Sequence, residues 1–382
     1  MKSVYFDNAA TTQLRPEVID CMSHALAHCY GNPSSTHSFG RTAKTAIEKA
    51  RKTIAHRLGA HPSEIIFTSG GTEADNMVLK CAVRDLGVTH IISTQIEHHA
   101  VLHTIDELVD HHGVTPHYLS LDSYGNPNLE ELASLLTDID GKVLVSLMHI
   151  NNEIGNILDI KTVAALCEAH GAYFHSDTVQ SIGHYPWDLS EVKIHFMAAA
   201  AHKFHGPKGV GFAYIRKDIP MKSFIAGGSQ ERGFRAGTEP YHNIVGLEKA
   251  FEMAYDNLDK EKLHTLGLKE YFIEEVKKAI PGVAFNGASD QLEKSTYTLV
   301  NLRLPVNSQK AQMLLFHLDL QGIACSKGSA CQSGSSKGSH VLSAILESKD
   351  LEAPSLRFSF SMMNTKEELD YVIAALKTFV EK

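Results

Sequence analysis

Lys203 lies between two apolar runs. Phe196-Met197-Ala198-Ala199-Ala200-Ala201 leads into His202-Lys203, Gly206-Pro207-Lys208-Gly209 turns the chain, and Val210 to Ile215 leaves as a second apolar strand. A lysine drawn out of water there loses its proton more readily and can attack an aldehyde. Upstream, Ala172-Tyr173-Phe174-His175-Ser176-Asp177 reads as a strand that delivers a carboxylate at its C-terminal end. Such a carboxylate can hold a pyridinium nitrogen protonated and keep an aromatic ring electron-withdrawing. Taken singly, the two have ordinary readings: a solvated lysine on a turn and an aspartate capping a helix. Taken together, they are what pyridoxal phosphate requires.

The elements that must position these groups are strands alternating with helices from about residue 64 to 216, the pattern of a largely parallel sheet covered on both faces. Glu64 to Thr68 reads as a strand, Ser69-Gly70-Gly71-Thr72 as a tight turn, and Glu73 onward as a helix. Glycine at a helix start lets backbone N–H groups approach an anion, and Thr72 adds a hydroxyl, so the segment outlines a phosphate cradle. His90 to Thr94 is a short strand followed by His98, whose flat ring can stack and titrates near neutrality. Lys142 to Met148 is a continuous apolar strand ending near Asn152. Ligands gather at the carboxyl ends of strands in such sheets, and Thr72, His98, Asn152, Asp177, Gln180 and Lys203 all follow strands.

Further on, an amphipathic stretch from Asn243 to Lys278, with a break expected near Leu266-Gly267, leads toward a smaller domain. Cys325 closes a strand there. Cys331 follows in a Gly/Ser-rich segment with little to bury. Ser355 to Phe360 is a strand with one arginine, and the guanidinium of Arg357 can hold a carboxylate through two parallel hydrogen bonds.

Asp177-Thr178-Val179-Gln180-Ser181-Ile182-Gly183 followed by Ala201-His202-Lys203-Phe204-His205-Gly206-Pro207-Lys208-Gly209 resembles the NifS/IscS cysteine desulfurases, fold-type-I pyridoxal-phosphate enzymes of the class-V aminotransferase family. The likeness runs from Asp7-Asn8-Ala9-Ala10-Thr11-Thr12 to Arg357-Phe358-Ser359. It implies an α/β fold: a large domain over residues 15–255 with a mostly parallel sheet flanked by helices, and a smaller α+β domain formed by 1–14 and 256–382. It also implies a homodimer that converts L-cysteine to L-alanine and passes sulfur, as a persulfide on Cys331, to an acceptor such as an iron–sulfur scaffold. In this resemblance Lys203 carries the cofactor and His98 stacks on its ring. Asn152, Asp177 and Gln180 surround the ring; Gly71, Thr72, His202 and a neighbouring subunit's Thr238 serve the phosphate; Asn152 and Arg357 receive the substrate. Gly328-Ser329-Ala330-Cys331 resembles the NifS/IscS catalytic loop, in contrast to the Arg-x-Gly-His-His-Cys loop of the SufS group. Ala200 departs from the family, which usually carries a serine there as a phosphate donor. The rival readings are a selenocysteine lyase or another lyase or transaminase on the same fold, and a cofactor-free sulfur-transfer partner.

Composition agrees with a soluble globular protein. The 382 residues are 43% hydrophobic and 21% charged, and the net charge of −8 comes with no basic block for nucleic acid or an anionic membrane. No signal-peptide core or membrane-length run appears, so the expected compartment is the cytoplasm. Six scattered cysteines are expected as reduced thiols, and no zinc-ligand spacing calls for a metal.

Overall fold

The computed structural model describes residues 3–307, 311–327 and 338–381. Strand β1 (Val4–Tyr5) opens the chain. The main sheet is built from β2 (Ile65–Thr68), β3 (His90–Ser93), β4 (Thr115–Tyr118), β5 (Val143–Ser146), β6 (Tyr173–Asp177), β7 (Phe196–Ala200) and β8 (Gly211–Ile215). Their order is β2-β8-β7-β6-β5-β3-β4. Strands β3 to β7 run parallel, and β8 lies antiparallel to both β2 and β7.

The strands are apolar without alternation because both faces are covered. Ile65 and Phe67, Ile92, Val145, Met197 and Ala199 pack into one hydrophobic cluster. Their sequence neighbours Ile66, Ile91, Leu144, Phe196 and Ala198 pack into another on the opposite face. The first face is covered by α1 (Pro16–His28), α2 (Ser38–Arg57), α5 (Leu129–Asp138), α6 (Ile160–Ala169) and α7 (Tyr241–Asp256); the second by α3 (Gly71–Cys81) and α4 (His99–His112). The interior strand β7 is Phe-Met-Ala-Ala-Ala and wholly buried. Its small side chains let α3 come close, and Gly211 lets β8 begin against it: a Cβ there would stand 2.1 Å from the Ala199 carbonyl oxygen.

The expected break near Leu266-Gly267 does not occur. Helix α8 runs unbroken from Leu258 to Ala279, and α7 ends instead at Asn257, whose side chain donates to the Met253 carbonyl at 2.8 Å. Gly267 costs a helix about 1 kcal/mol relative to alanine, and burial of Thr265, Leu268, Phe272 and Val276 around it offsets that cost. Past α8, an antiparallel sheet joins β9 (Ala284–Phe285), β10 (Leu299–Arg303) and β12 (Ser355–Ser359), while β11 (Ile323–Ala324) pairs parallel with β1. Val4 and Phe6 share a hydrophobic cluster with Leu268, Phe272, Phe358 and Leu376, so the N-terminal residues pack with the C-terminal ones. Among the described residues no helix is long and apolar enough to cross a membrane.

One buried ion pair ties α2 to the segment after β8. Arg51 donates from Nη1 and Nη2 to the Glu231 carboxylate at 2.7 and 2.9 Å, and Glu231 Oε2 also accepts the Phe67 N–H at 2.7 Å. Removing one member strands the other charge without water. Arg51→Ala is therefore expected to destabilise the fold by about 3–5 kcal/mol, read from urea unfolding. A loss below about 1 kcal/mol would mean that water reaches Glu231.

Candidate active site

The C-terminal ends of β2, β5, β6 and β7 open on a single cavity. Gly71, Thr72, His98, Asn152, Asp177, Gln180, His202, Lys203 and Arg357 all line it. Residues separated by up to 286 positions in sequence are thus brought together. Thr238 is exposed and lies outside the lining, and Cys331 lies outside the described residues.

Lys203 follows β7 on a short turn of 3-10 helix. Its Nζ donates to the carbonyls of Ala9 and Ala10 at 2.6 and 3.0 Å. The N-terminal segment is itself held there, because Thr12 N–H donates to the His202 carbonyl and His205 N–H donates to Thr12 Oγ1. Gln180 clips the same segment, donating to Ala9 O at 3.0 Å. This is what Asp7 to Thr12 contributes: a backbone wall over the lysine.

Asp177 ends β6 with its carboxylate buried, accepting the Val179 N–H at 2.9 Å. Burial raises its pKa, opposed by His98, the Val179 N–H and Lys203. Partly buried His98 caps α4, accepting the Ala100 N–H at 3.1 Å, and desolvation holds its ring below the ordinary imidazole pKa. A ring whose pKa is lowered is neutral at pH 7 and can stack without adding charge. Burial, with Lys203 beside it, brings His202 down to about 4.

The cradle is where the turn predicts it. Helix α3 begins at Gly71 with no side-chain cap, so its first N–H groups have no intrahelical acceptor. A Cβ on Gly71 would stand 2.5 Å from Val179 Cγ2, so glycine is needed for this approach. An anion held there meets N–H donors and the positive end of the helix. Ala200, 2% exposed, borders the same corner, where a Gly71 Cβ would be 3.9 Å from its own. Ala200→Ser is expected to tighten phosphate binding by up to about tenfold, the equivalent of one added hydrogen bond. Equilibrium dialysis against limiting pyridoxal phosphate checks it; equal or weaker affinity would show that the phosphate's acceptor sites are already filled.

Arg357 enters from β12, 1% exposed. It is paired, but inside the protein: Nη1 donates to Asn152 O at 2.7 Å and Nη2 to Asp7 Oδ1 at 2.8 Å. Its Nε is buried with no hydrogen-bond partner among the described residues. A carboxylate arriving here would meet a guanidinium already oriented by Asp7 and Asn152.

Sequence reasoning passed over four titratable lining residues, Asp75, His99, Glu153 and His340. Asp75 follows Thr72 by three residues, one helical turn, so the cradle itself offered a signal. Glu153 and His340 meet only in three dimensions. Ser339 Oγ donates to Glu153 Oε2 at 2.5 Å, and the His340 ring nitrogen Nε2 lies 2.9 Å from the Glu97 carbonyl. Nothing local marks that junction.

The aminotransferase class-V family matches residues 4–372. A cysteine desulfurase IscS of Dictyoglomus turgidum is 42% identical over 383 residues, covering 100% of this chain and 95% of that protein. The chain belongs to the NifS/IscS group of class-V aminotransferases. Another IscS, of Methanosarcina thermophila, is 41% identical, with 100% of this chain and 93% of that protein covered. Among solved structures, a NifS-like protein superposes with a TM-score of 0.89 at 34% identity, each chain covered in full. SspA in complex with cysteine gives 0.80 at 30% identity, with 93% of this chain and 98% of that one covered. Members of this group are pyridoxal-phosphate enzymes, and the chain is an enzyme of that kind.

Proposed function

We propose that the protein is a cysteine desulfurase that holds pyridoxal phosphate in this cavity, converts L-cysteine to L-alanine and places the sulfur on Cys331. The observation that carries the reading is the convergence of Lys203, Asp177, His98, the Gly71-Thr72 helix start and Arg357 on one cavity. The residues fit the cofactor: an amine for its aldehyde, a buried carboxylate for its ring nitrogen, and open amides for its phosphate. When bound, the cofactor would draw electrons from the substrate's Cα and Cβ into its protonated ring.

The protein's own groups do the rest. Arg357 and Asn152 orient the cysteine carboxylate, Lys203 Nζ takes the Cα proton, and Asp177 keeps the ring nitrogen protonated. His98, close to Asp177 and neutral, is placed to pass a proton. The Cys331 thiolate attacks the substrate sulfur, so that an S–S bond forms as the Cβ–S bond breaks. The electron pair stays with the substrate carbon, which is protonated to alanine, and the balance is cysteine plus enzyme thiol giving alanine plus enzyme persulfide. A sulfur-acceptor protein, such as an iron–sulfur scaffold, would then receive the terminal sulfur.

Thr238, exposed and away from its own chain's cavity, supports a homodimer in which it serves the neighbouring phosphate. The five described cysteines are all free thiols, which fits a reducing compartment such as the cytoplasm. The purified protein is expected to be yellow with bound cofactor and, with L-cysteine and a dithiol, to release alanine and sulfide in equal amounts. A colourless protein that takes up no pyridoxal phosphate, or one that gives no alanine from cysteine, would overturn this function.

A further inference from the structure

A second carboxylate stands beside Asp177. Asp75, on α3, is 1% exposed, and a carboxylate oxygen of it lies within 4.8 Å of both an Asp177 oxygen and a His98 ring nitrogen. Among the described residues the Oδ1 atom has no hydrogen-bond partner in good geometry; it faces His175 Nε2 at 3.3 Å. His175 shares a face of β6 with Asp177, because side chains two apart on a strand point the same way. It is fully buried, and its Nδ1 is 2.9 Å from Ser146 Oγ.

Charge decides what this arrangement can be. The groups facing Asp75 from the packed elements are Asp177 and His175 on β6, Glu97 and His98 before α4, and Lys203 across the cavity. Burial brings His175 to about 3, so the ring is neutral and carries one N–H for two nitrogens. Burial also raises Glu97 to about 8. Two neighbouring buried carboxylates do not both ionise. Asp177 has the Val179 N–H and the influence of His98 and Lys203 to hold its charge, whereas Asp75 is raised well above the carboxylate range by burial, Asp177 and Glu97. The proton therefore falls on Asp75. In the tautomer with the proton on Nδ1, 2.9 Å from Ser146 Oγ, His175 Nε2 is left as an acceptor for it.

We propose that Asp75 is a neutral acid sharing its proton with His175, and that this leaves Asp177 as the anion presented to the cofactor's ring nitrogen. Asp75 is then a positioning residue, and Ser146, His175 and Asp75 form a buried chain that ends beside Asp177. The ring nitrogen itself rests on the function proposed above; the proton on Asp75 is a property of the protein alone.

Infrared difference spectroscopy on the cofactor-free protein at neutral pH tests it. Wild type should show a protonated-carboxyl C=O band that Asp75→Asn removes and Asp177→Asn leaves in place. Absence of any band lost in Asp75→Asn overturns the proposal. Should that variant fail to fold, His175→Gln must shift the same band, and an unmoved band is equally fatal. Dialysis adds a second reading: Asp75→Asn, whose amide can still donate to Nε2, should bind pyridoxal phosphate within about threefold of wild type, and Asp75→Ala about tenfold more weakly. An asparagine variant as weak as the alanine one would show that the charge on Asp75 is needed. A wild-type protein that shows the band but takes up no pyridoxal phosphate would keep the proton on Asp75 and remove the cofactor reading.

Discussion

Lys203→Ala is expected to lose all borohydride-fixable pyridoxal phosphate and to reduce desulfurase turnover by about a thousandfold or more. Two functions vanish with one amine, the covalent hold on the aldehyde and the base for the Cα proton. The fold should survive, because the Nζ donation to the Ala9 and Ala10 carbonyls lies at the cavity and not in either hydrophobic core. A neutral hydrogen bond contributes about 1 kcal/mol and one to a charged group somewhat more, and water can replace the donor at the cavity. Visible absorbance, borohydride reduction and alanine production measure the effect. A cofactor that is still fixed by borohydride in the variant would place the reactive amine elsewhere.

Sulfur should appear on one thiol and leave its neighbour untouched. Cys325 follows β11, and burial pushes its thiol up to about 12, with Asp7 adding to the rise. At neutral pH only on the order of one such thiol in 10⁵ is ionised, and the thiolate is the nucleophile. Cys325 also packs against the cluster of Phe6, Phe358 and Leu318. Cys331→Ala is therefore expected to load cofactor and change colour on adding cysteine, yet release no sulfur; Cys325→Ala should keep most activity. Mass spectrometry after exposure to L-cysteine without reductant should find one added sulfur on the peptide containing Cys331. Finding it on Cys325, or full activity in Cys331→Ala, would reverse the assignment.

Lys203, Asp177, His98, Asn152 and Thr72 could be read from the chain because each stands where an apolar run stops. A strand buried on both faces is nearly continuous in apolar residues, so its end is visible, and the ends of parallel strands are where a ligand has room. The Gly71 cradle was readable for a similar reason, since the turn and the helix start are both local. The misplaced helix break shows the opposite case. Gly267 is a local warning, but burial of Leu268, Phe272 and Val276 against the C-terminal elements carries the helix through it.

The sequence by itself determined the strand-borne chemistry, the cradle, and the resemblance in which these residues take their roles. Only the tertiary structure decided that Ala9 and Ala10 wall the lysine, that Arg357 is oriented by Asp7 across 350 positions, and that Asp75 stands beside Asp177. Strand ends are marked by local composition, whereas these contacts join segments far apart along the chain. The protonation of a buried carboxylate depends on which other charges the fold brings beside it, and no residue's neighbours in sequence record that.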